Sequence, residues 1–399
     1  MFSISLKVAA SLVLAGSLIA VANPASAQGN PIKIGVPTSL TGPYAELGSE
    51  VQRGVNYAVK EINAKGGILG RHVQVEFADS EANPAVAQRV SERLVLNGYR
   101  FLVGAISSAE GLAIGGKAEK WDAIYLSTIN KSNTLTADAC NPRMFRANHS
   151  DAMDMAVIEP WLKKRAEDAW AIMAADYAWG RDSAAEFTAA AKSAGKTMKG
   201  AYFAPIGTKD YAPYIQQIRE QNPKGLWVAI GGRDAVNFGV QAAQFGLLKT
   251  AFAVSQSFAV PATIKGMGDA ADGIWGVVNY AASIDTPGNK AFVAAWRKEY
   301  GNDPAVYETE TYVGMQVLFR AIAKAGTDEP GKVATAMEGL SIDTSMYGKV
   351  TMRAEDHQLM MPNYIGKVMR VDGQLKPVVE LAFDTDKAMP APSPKCKMH

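Results

Sequence analysis

The chain has 399 residues, 48% of them hydrophobic and 20% charged, with a formal net charge of +2. So apolar a composition excludes a disordered chain, and the length exceeds what one core usually spans, so two domains are expected. A balance of 41 basic against 39 acidic residues gives no excess for nucleic acid, and the four histidines (His72, His149, His357, His399) share no metal-ligand spacing. No metal and no cofactor are expected.

The first segment reads as an export signal. Lys7 precedes an uncharged stretch over 8–21, and Ala25-Ser26-Ala27 supplies a small-residue cleavage signature, so residues 1–27 are expected to be removed after Ala27. The stretch is shorter than the ~20 apolar residues of a membrane helix, and a soluble periplasmic protein is expected. In an oxidising compartment the two cysteines, Cys140 and Cys396, read either as one disulfide tying the C-terminal tail to the first half or as two separate thiols; the disulfide is the expectation.

From residue 32 a β-branched run, Ile32-Lys33-Ile34-Gly35-Val36, predicts a strand. Val51, Val55, Ala58, Val59 and Ile62 then recur at helical spacing until Gly66-Gly67 ends the helix. A strand over 73–77, a helix over 84–97 and a near-continuous apolar strand over 100–105 follow, with another strand at Ile124-Tyr125-Leu126. After Ser150 the alternation restarts: strands over 169–173, 197–203 and 225–230, helices over 181–193 and 211–221, and a strand around 252–254. Strands alternating with crossover helices predict an α/β fold of two doubly wound lobes with parallel sheets.

Ligands of open parallel sheets bind outside the carboxyl ends of the strands, so the segments just after each strand are the candidates. Ser107-Ser108 either cradles a carboxylate at a helix N-terminus or caps that helix. Ser127, Ile129, Asn130 and Lys131 stand in a second such loop. Tyr177 and Trp179 follow a strand of the second lobe and either sandwich a ligand or pack locally. Arg233 either pairs with an anion or with neighbouring Asp234, and Ser255-Gln256-Ser257-Phe258 closes the series. Enzyme signatures are absent: Gly104-Ala105-Ile106-Ser107-Ser108 is no nucleophile elbow, Gly66-Gly67-Ile68-Leu69-Gly70 lies between a helix and a strand, and His357 with Ser108 is too common a pairing to signal a hydrolase. No enzyme is expected.

These residues carry a resemblance. Leu40-Thr41-Gly42-Pro43-Tyr44, the segment Glu61-Ile62-Asn63-Ala64-Lys65-Gly66-Gly67-Ile68-Leu69-Gly70-Arg71, Asp176-Tyr177-Ala178-Trp179-Gly180 and Gly268-Asp269-Ala270-Ala271-Asp272-Gly273 stand in family order, and over about 31–385 the chain resembles the branched-chain amino acid type of periplasmic solute-binding proteins that serve ABC importers. The resemblance implies two lobes joined by three crossovers, placed near His149, Val278 and Met361. It gives an N-terminal lobe of 28–148 plus 279–361, a C-terminal lobe of 149–278 plus 362–385, and a tail over 386–399. It also implies a monomer that closes on a small molecule and docks on ABC importer permease subunits.

By the same resemblance Ser108 holds the ligand carboxylate, Ile129 and Lys131 complete that grip, and Trp179 covers the ligand from the second lobe. Arg233 stands where the family's branched-chain binders have a tyrosine, Gln256 where they have the glutamate for the α-ammonium, and Leu47 at a polar aromatic position. A neutral amide compensates an ammonium poorly in a desolvated cleft. The expected ligand is therefore a carboxylate without an ammonium, an aromatic acid suiting Tyr44, Tyr177, Trp179 and Phe258; the alternative is an α-amino acid with Asp234 or Glu308 as the anion.

Overall fold

The structure is a computed structural model that describes residues 1, 2 and 29–398. The expected export signal falls almost wholly outside the described residues, as does His399. Among the described residues no helix is long and apolar enough to cross a membrane.

The first half builds a five-stranded parallel sheet from β1 (Ile32–Thr38), α1 (Ala45–Ala64), β2 (Val73–Asp79), α2 (Pro84–Leu96), β3 (Phe101–Gly104), α3 (Ser108–Ala118), β4 (Ile124–Ser127) and β5 (Met144–Arg146), in strand order β2-β1-β3-β4-β5. β3 and β4 are buried along their whole length, as a sheet covered by helices on both faces requires. The glycine run after α1 makes the turn into β2, with Gly66 and Gly67 both at positive φ.

The chain then crosses to a second body. There α4 (Asp151–Leu162), β6 (Ala169–Ala175), α5 (Ala178–Ser193), β7 (Thr197–Ala204), α6 (Ala212–Glu220), β8 (Gly225–Ala229), α7 (Gly232–Gln244), α8 (Leu247–Thr250), β9 (Phe252–Ser255), α9 (Pro261–Met267) and β10 (Trp275–Val277) follow. It returns to the first body through α10 (Pro287–Tyr300), α11 (Val306–Ala325), α12 (Pro330–Met337), β11 (Ser341–Ser345), β12 (Gly348–Met352) and β13 (Leu359–Met360). A third passage gives β14 (Asn363–Val371), β15 (Gln374–Phe383) and α13 (Thr385–Ala388).

The second sheet runs β15-β14-β10-β9-β8-β6-β7. It is not wholly parallel as expected, because the late hairpin β14–β15 pairs antiparallel with β10 at its edge. The small sheet β11-β12-β13 is antiparallel as well. Both additions come from local hairpins, which need no crossover helix. One apolar core joins α1, α11 and α12 to the first sheet, and two further clusters, around Phe238 and around Trp227, cover the faces of the second.

Cys140 and Cys396 are joined, with Cα atoms 5.5 Å apart. The bridge closes a loop of 256 residues in sequence, for which chain entropy allows up to about 5 kcal/mol of stabilisation. Cys396→Ser should therefore lower the urea midpoint of unfolding, and added reductant should lower the wild type to the same value. An unchanged midpoint in both would show that the tail comes free before the body unfolds.

Candidate functional site

Between the two bodies lies a narrow cavity of about 20 Å³ lined by Tyr44, Leu47, Ile106, Ser108, Ile129, Lys131, Tyr177, Trp179, Gly231, Gln256 and Tyr307. Apart from Tyr307 in the first turn of α11 and Leu47 in that of α1, these residues follow β1, β3, β4, β6, β8 and β9, so the parallel strands aim their carboxyl ends at one point. Pro43 and Tyr44 reach across to α7. Gly232 there has φ +57°, and a Cβ on it would stand 2.6 Å from Tyr44 Cδ1 and 2.8 Å from the Pro43 carbonyl. Tyr44 Oη also lies 3.4 Å from Tyr177 Oη across the gap, and burial pushes both phenols above their ordinary range.

Ser108 Oγ accepts the Ser132 N–H at 3.1 Å, which leaves its own proton to donate. Lys131, only 6% exposed, places Nζ 2.8 Å from Asp154 Oδ2 and 2.7 Å from Asn279 Oδ1. Gln256 Nε2 donates to the same Asp154 Oδ2 at 2.6 Å. Burial opposes ionisation of Asp154, yet Lys131, Asn279 and Gln256 outweigh it and hold the carboxyl below the usual range. Behind Trp179, whose Nε1 donates to Asp151 Oδ1 at 3.1 Å, burial pushes the Asp151 carboxyl well above that range, and Asp151 Oδ2 has no partner among the described residues.

Five of the residues expected here lie elsewhere. Ser107 is the cap of α3: its Oγ accepts the Glu110 N–H at 3.3 Å while Glu110 Oε2 accepts the Ser107 N–H at 2.7 Å. Ser127 donates to Asn148 Oδ1 and accepts the Asn130 N–H, so its hydroxyl is spent inside the loop. Asn130 donates to the carbonyls of Ala105, Ile106 and Ser107 and thereby clamps the two post-strand loops together. Arg233 is exposed, because the first turn of α7 points its side chain to solvent. Phe258 is fully buried beside Phe238 in the second lobe's core.

Neither anion proposed for an ammonium lines the cavity. Asp234 accepts the Gly207 N–H at 2.8 Å, and Glu308 pairs with Arg53 and accepts the Ala305 N–H. His357 stacks on Phe145 and meets the Met144 carbonyl and Glu338, away from Ser108. The residues missed were Ile106, Gly231, Tyr307 and above all Asp154, whose place in the Asp151-Ala152-Met153-Asp154 helix start reads as ordinary dipole-matching acid.

Residues 31–374 match the family described as Periplasmic binding protein. The chain belongs to that family. The Leu/Ile/Val-binding protein homolog 4 of Brucella abortus is 26% identical over 382 residues, 92% of this chain and 91% of that one. A solute binding protein of an ABC transporter from Rhodopseudomonas palustris BisB5, solved in complex with 3,4-dihydroxy benzoic acid, superposes with a TM-score of 0.82 at 25% identity, over 89% of this chain and 98% of that one. The closed leucine-, isoleucine-, valine-, threonine-, and alanine-binding protein of Brucella ovis superposes at 0.81 with 23% identity, over 92% and 99%. This binding protein therefore shares the two-lobed α/β fold of ABC-transporter solute receptors.

Two outcomes follow from this geometry. Gly232→Ala should hold the lobes apart at Tyr44 and speed ligand dissociation at least tenfold in stopped-flow fluorescence; an unchanged rate would show that Tyr44 yields. Folding raises the Asp151 pKa, so its contribution to stability is fully present below about pH 4, the unfolded value, and is lost as pH rises through the folded one. The melting temperature of Asp151→Asn minus that of wild type should thus grow from pH 4 to pH 8 in scanning calorimetry, and a flat difference would refute the assignment.

Proposed function

We propose that this protein is a monomeric extracytoplasmic receptor that binds a small organic carboxylate, an aromatic acid in particular, between its lobes and hands it to the permease subunits of an ABC importer. Export with cleavage after Ala27 belongs to the same reading. The observation that carries it is the cavity lining: among the described residues Lys131 is the one charged side chain there, and four aromatic residues, Tyr44, Tyr177, Trp179 and Tyr307, surround it. A cation and a hydroxyl donor at Ser108 suit a carboxylate, while ring faces suit a planar body. The Rhodopseudomonas palustris protein with its dihydroxybenzoate supports this ligand class.

A second reading, an α-amino acid receptor, draws on one observation: the Asp154 carboxylate lies directly behind Gln256, close to where an ammonium would be met. The name of the Brucella abortus relative supports it.

A thermal-shift panel decides. A ligand at about 1,000 times its Kd stabilises by about 4 kcal/mol, a rise of a few degrees for a chain of this size. Benzoate and hydroxybenzoates should raise the melting temperature of the stripped protein, with leucine and valine silent. The reverse pattern would replace the first reading with the second. Trp179→Ala should weaken the bound aromatic acid about 10- to 100-fold by titration calorimetry, and an unchanged Kd would remove the ring-stacking argument.

A further inference from the structure

Asp154 does not line the cavity, is fully buried, accepts three side-chain hydrogen bonds and pairs with Lys131. Its Oδ2 takes Lys131 Nζ at 2.8 Å and Gln256 Nε2 at 2.6 Å; its Oδ1 takes Asn279 Nδ2 at 3.0 Å and Asn363 Nδ2 at 3.1 Å. An ionised carboxylate can only accept, which fixes the Gln256 amide with its NH₂ toward Asp154 and its carbonyl turned away. Lys131 has three donors, two of them committed to Asp154 and Asn279, so one N–H remains for the cavity. The donors come from both bodies and from two of the passages between them, because Lys131 follows β4, Gln256 follows β9, Asn279 follows β10 and Asn363 opens β14.

We infer that Asp154 is the positioning residue that sets the specificity of this site: it half-neutralises Lys131 and makes Gln256 an acceptor, so that the cavity takes an acid that also carries a hydrogen-bond donor such as a hydroxyl. The carboxylate part rests on the function proposed above. A bare cation would draw any anion strongly. The Lys131–Asp154 pair instead leaves a weak net field, in which the acceptor at Gln256 discriminates between acids.

The test uses Asp154→Asn, Lys131→Met and the double variant of the full mature chain. In the wild type, 4-hydroxybenzoate should bind more tightly than benzoate. In Asp154→Asn the affinity of benzoate relative to benzamide should rise about fivefold or more, because Lys131 loses its counter-ion, and the preference for the 4-hydroxyl should disappear, because Gln256 is free to turn. A residue that merely supports the fold would weaken benzoate and benzamide alike, and that result, or unchanged ratios, overturns the inference. Should leucine bind in place of aromatic acids, the ligand class proposed above fails, and the same ratio read with leucine and leucinamide still judges Asp154. Independently of any ligand, urea unfolding should find the double variant more stable than the Asp154→Asn or Lys131→Met single, since each single leaves a buried charge uncompensated. Additive losses would also overturn the inference.

Discussion

A carboxylate fully removed from water is tolerated only when its charge and lone pairs are matched, and at Asp154 that requirement organises the centre of the molecule. Lys131 and Gln256 meet its Oδ2, Asn279 and Asn363 its Oδ1, and Asn279 also donates to Asn363 Oδ1 at 2.9 Å. The set is complete only with the two bodies together, since separating them would strip Lys131 from its anion. The Lys131–Asp154 pair therefore joins the two bodies electrostatically. Beside it, His149 joins Glu310 at 2.6 Å and the Pro362 carbonyl at 2.8 Å, tying the first passage between the bodies to the third.

The periphery of the cleft is tuned in a different way. Tyr44 meets Tyr177, Pro43 and Tyr44 press on Gly232, and Asp182 of α5 accepts from Ser132 and Thr134. These contacts are aromatic, backbone or neutral-to-acid. Because the glycine at 232 has no Cβ, the Tyr44 ring can lie flat against the start of α7, which makes the space beneath it small and mostly apolar. A shallow or wetter cleft would weaken the discrimination available from Lys131, whose remaining donor acts at full strength only in a low-dielectric wall.

The regular framework was legible because apolar periodicity reports burial directly: β3 reads as a buried strand and is one, β4 reads as a strand and is one, and the glycine run after α1 reads as a turn and is one. The late hairpin was less legible, since β14 and β15 follow no crossover helix that would announce them. At the site, residues placed by strand ends alone, such as Ser108, Lys131 and Trp179, reached the cavity. Neighbours one position away did not, because a single step moves Ser107 from the pocket to the cap of α3, and a helix start turns Arg233 outward. Asp154 was illegible for a deeper reason. Its partners lie 23, 102, 125 and 209 positions away along the chain, and only the three passages between the bodies bring them to one carboxylate.

Size is a poor guide to which gap in such a molecule holds a ligand. A larger space of about 330 Å³ opens between the bodies beside the C-terminal tail, lined by Arg146, Asp182, Arg353, Asp356 and Lys395 among others. Several of its charged groups already serve other groups of the protein. Arg146 donates to Gln358 Oε1, the Ser132 carbonyl and Thr136 Oγ1, and Arg353 holds both Asp356 and the Pro390 carbonyl of the tail. Lys395 meets Asp138 next to the Cys140–Cys396 bridge. Donors so committed have little left for a guest, and their work is to fasten the tail, which leaves the second body at α13, onto the first. The smaller cavity differs in the one respect that matters for recognition: among the described residues the Ser108 hydroxyl proton and the third N–H of Lys131 are donors without a protein acceptor, and a carboxylate, the ligand class proposed above, would satisfy both.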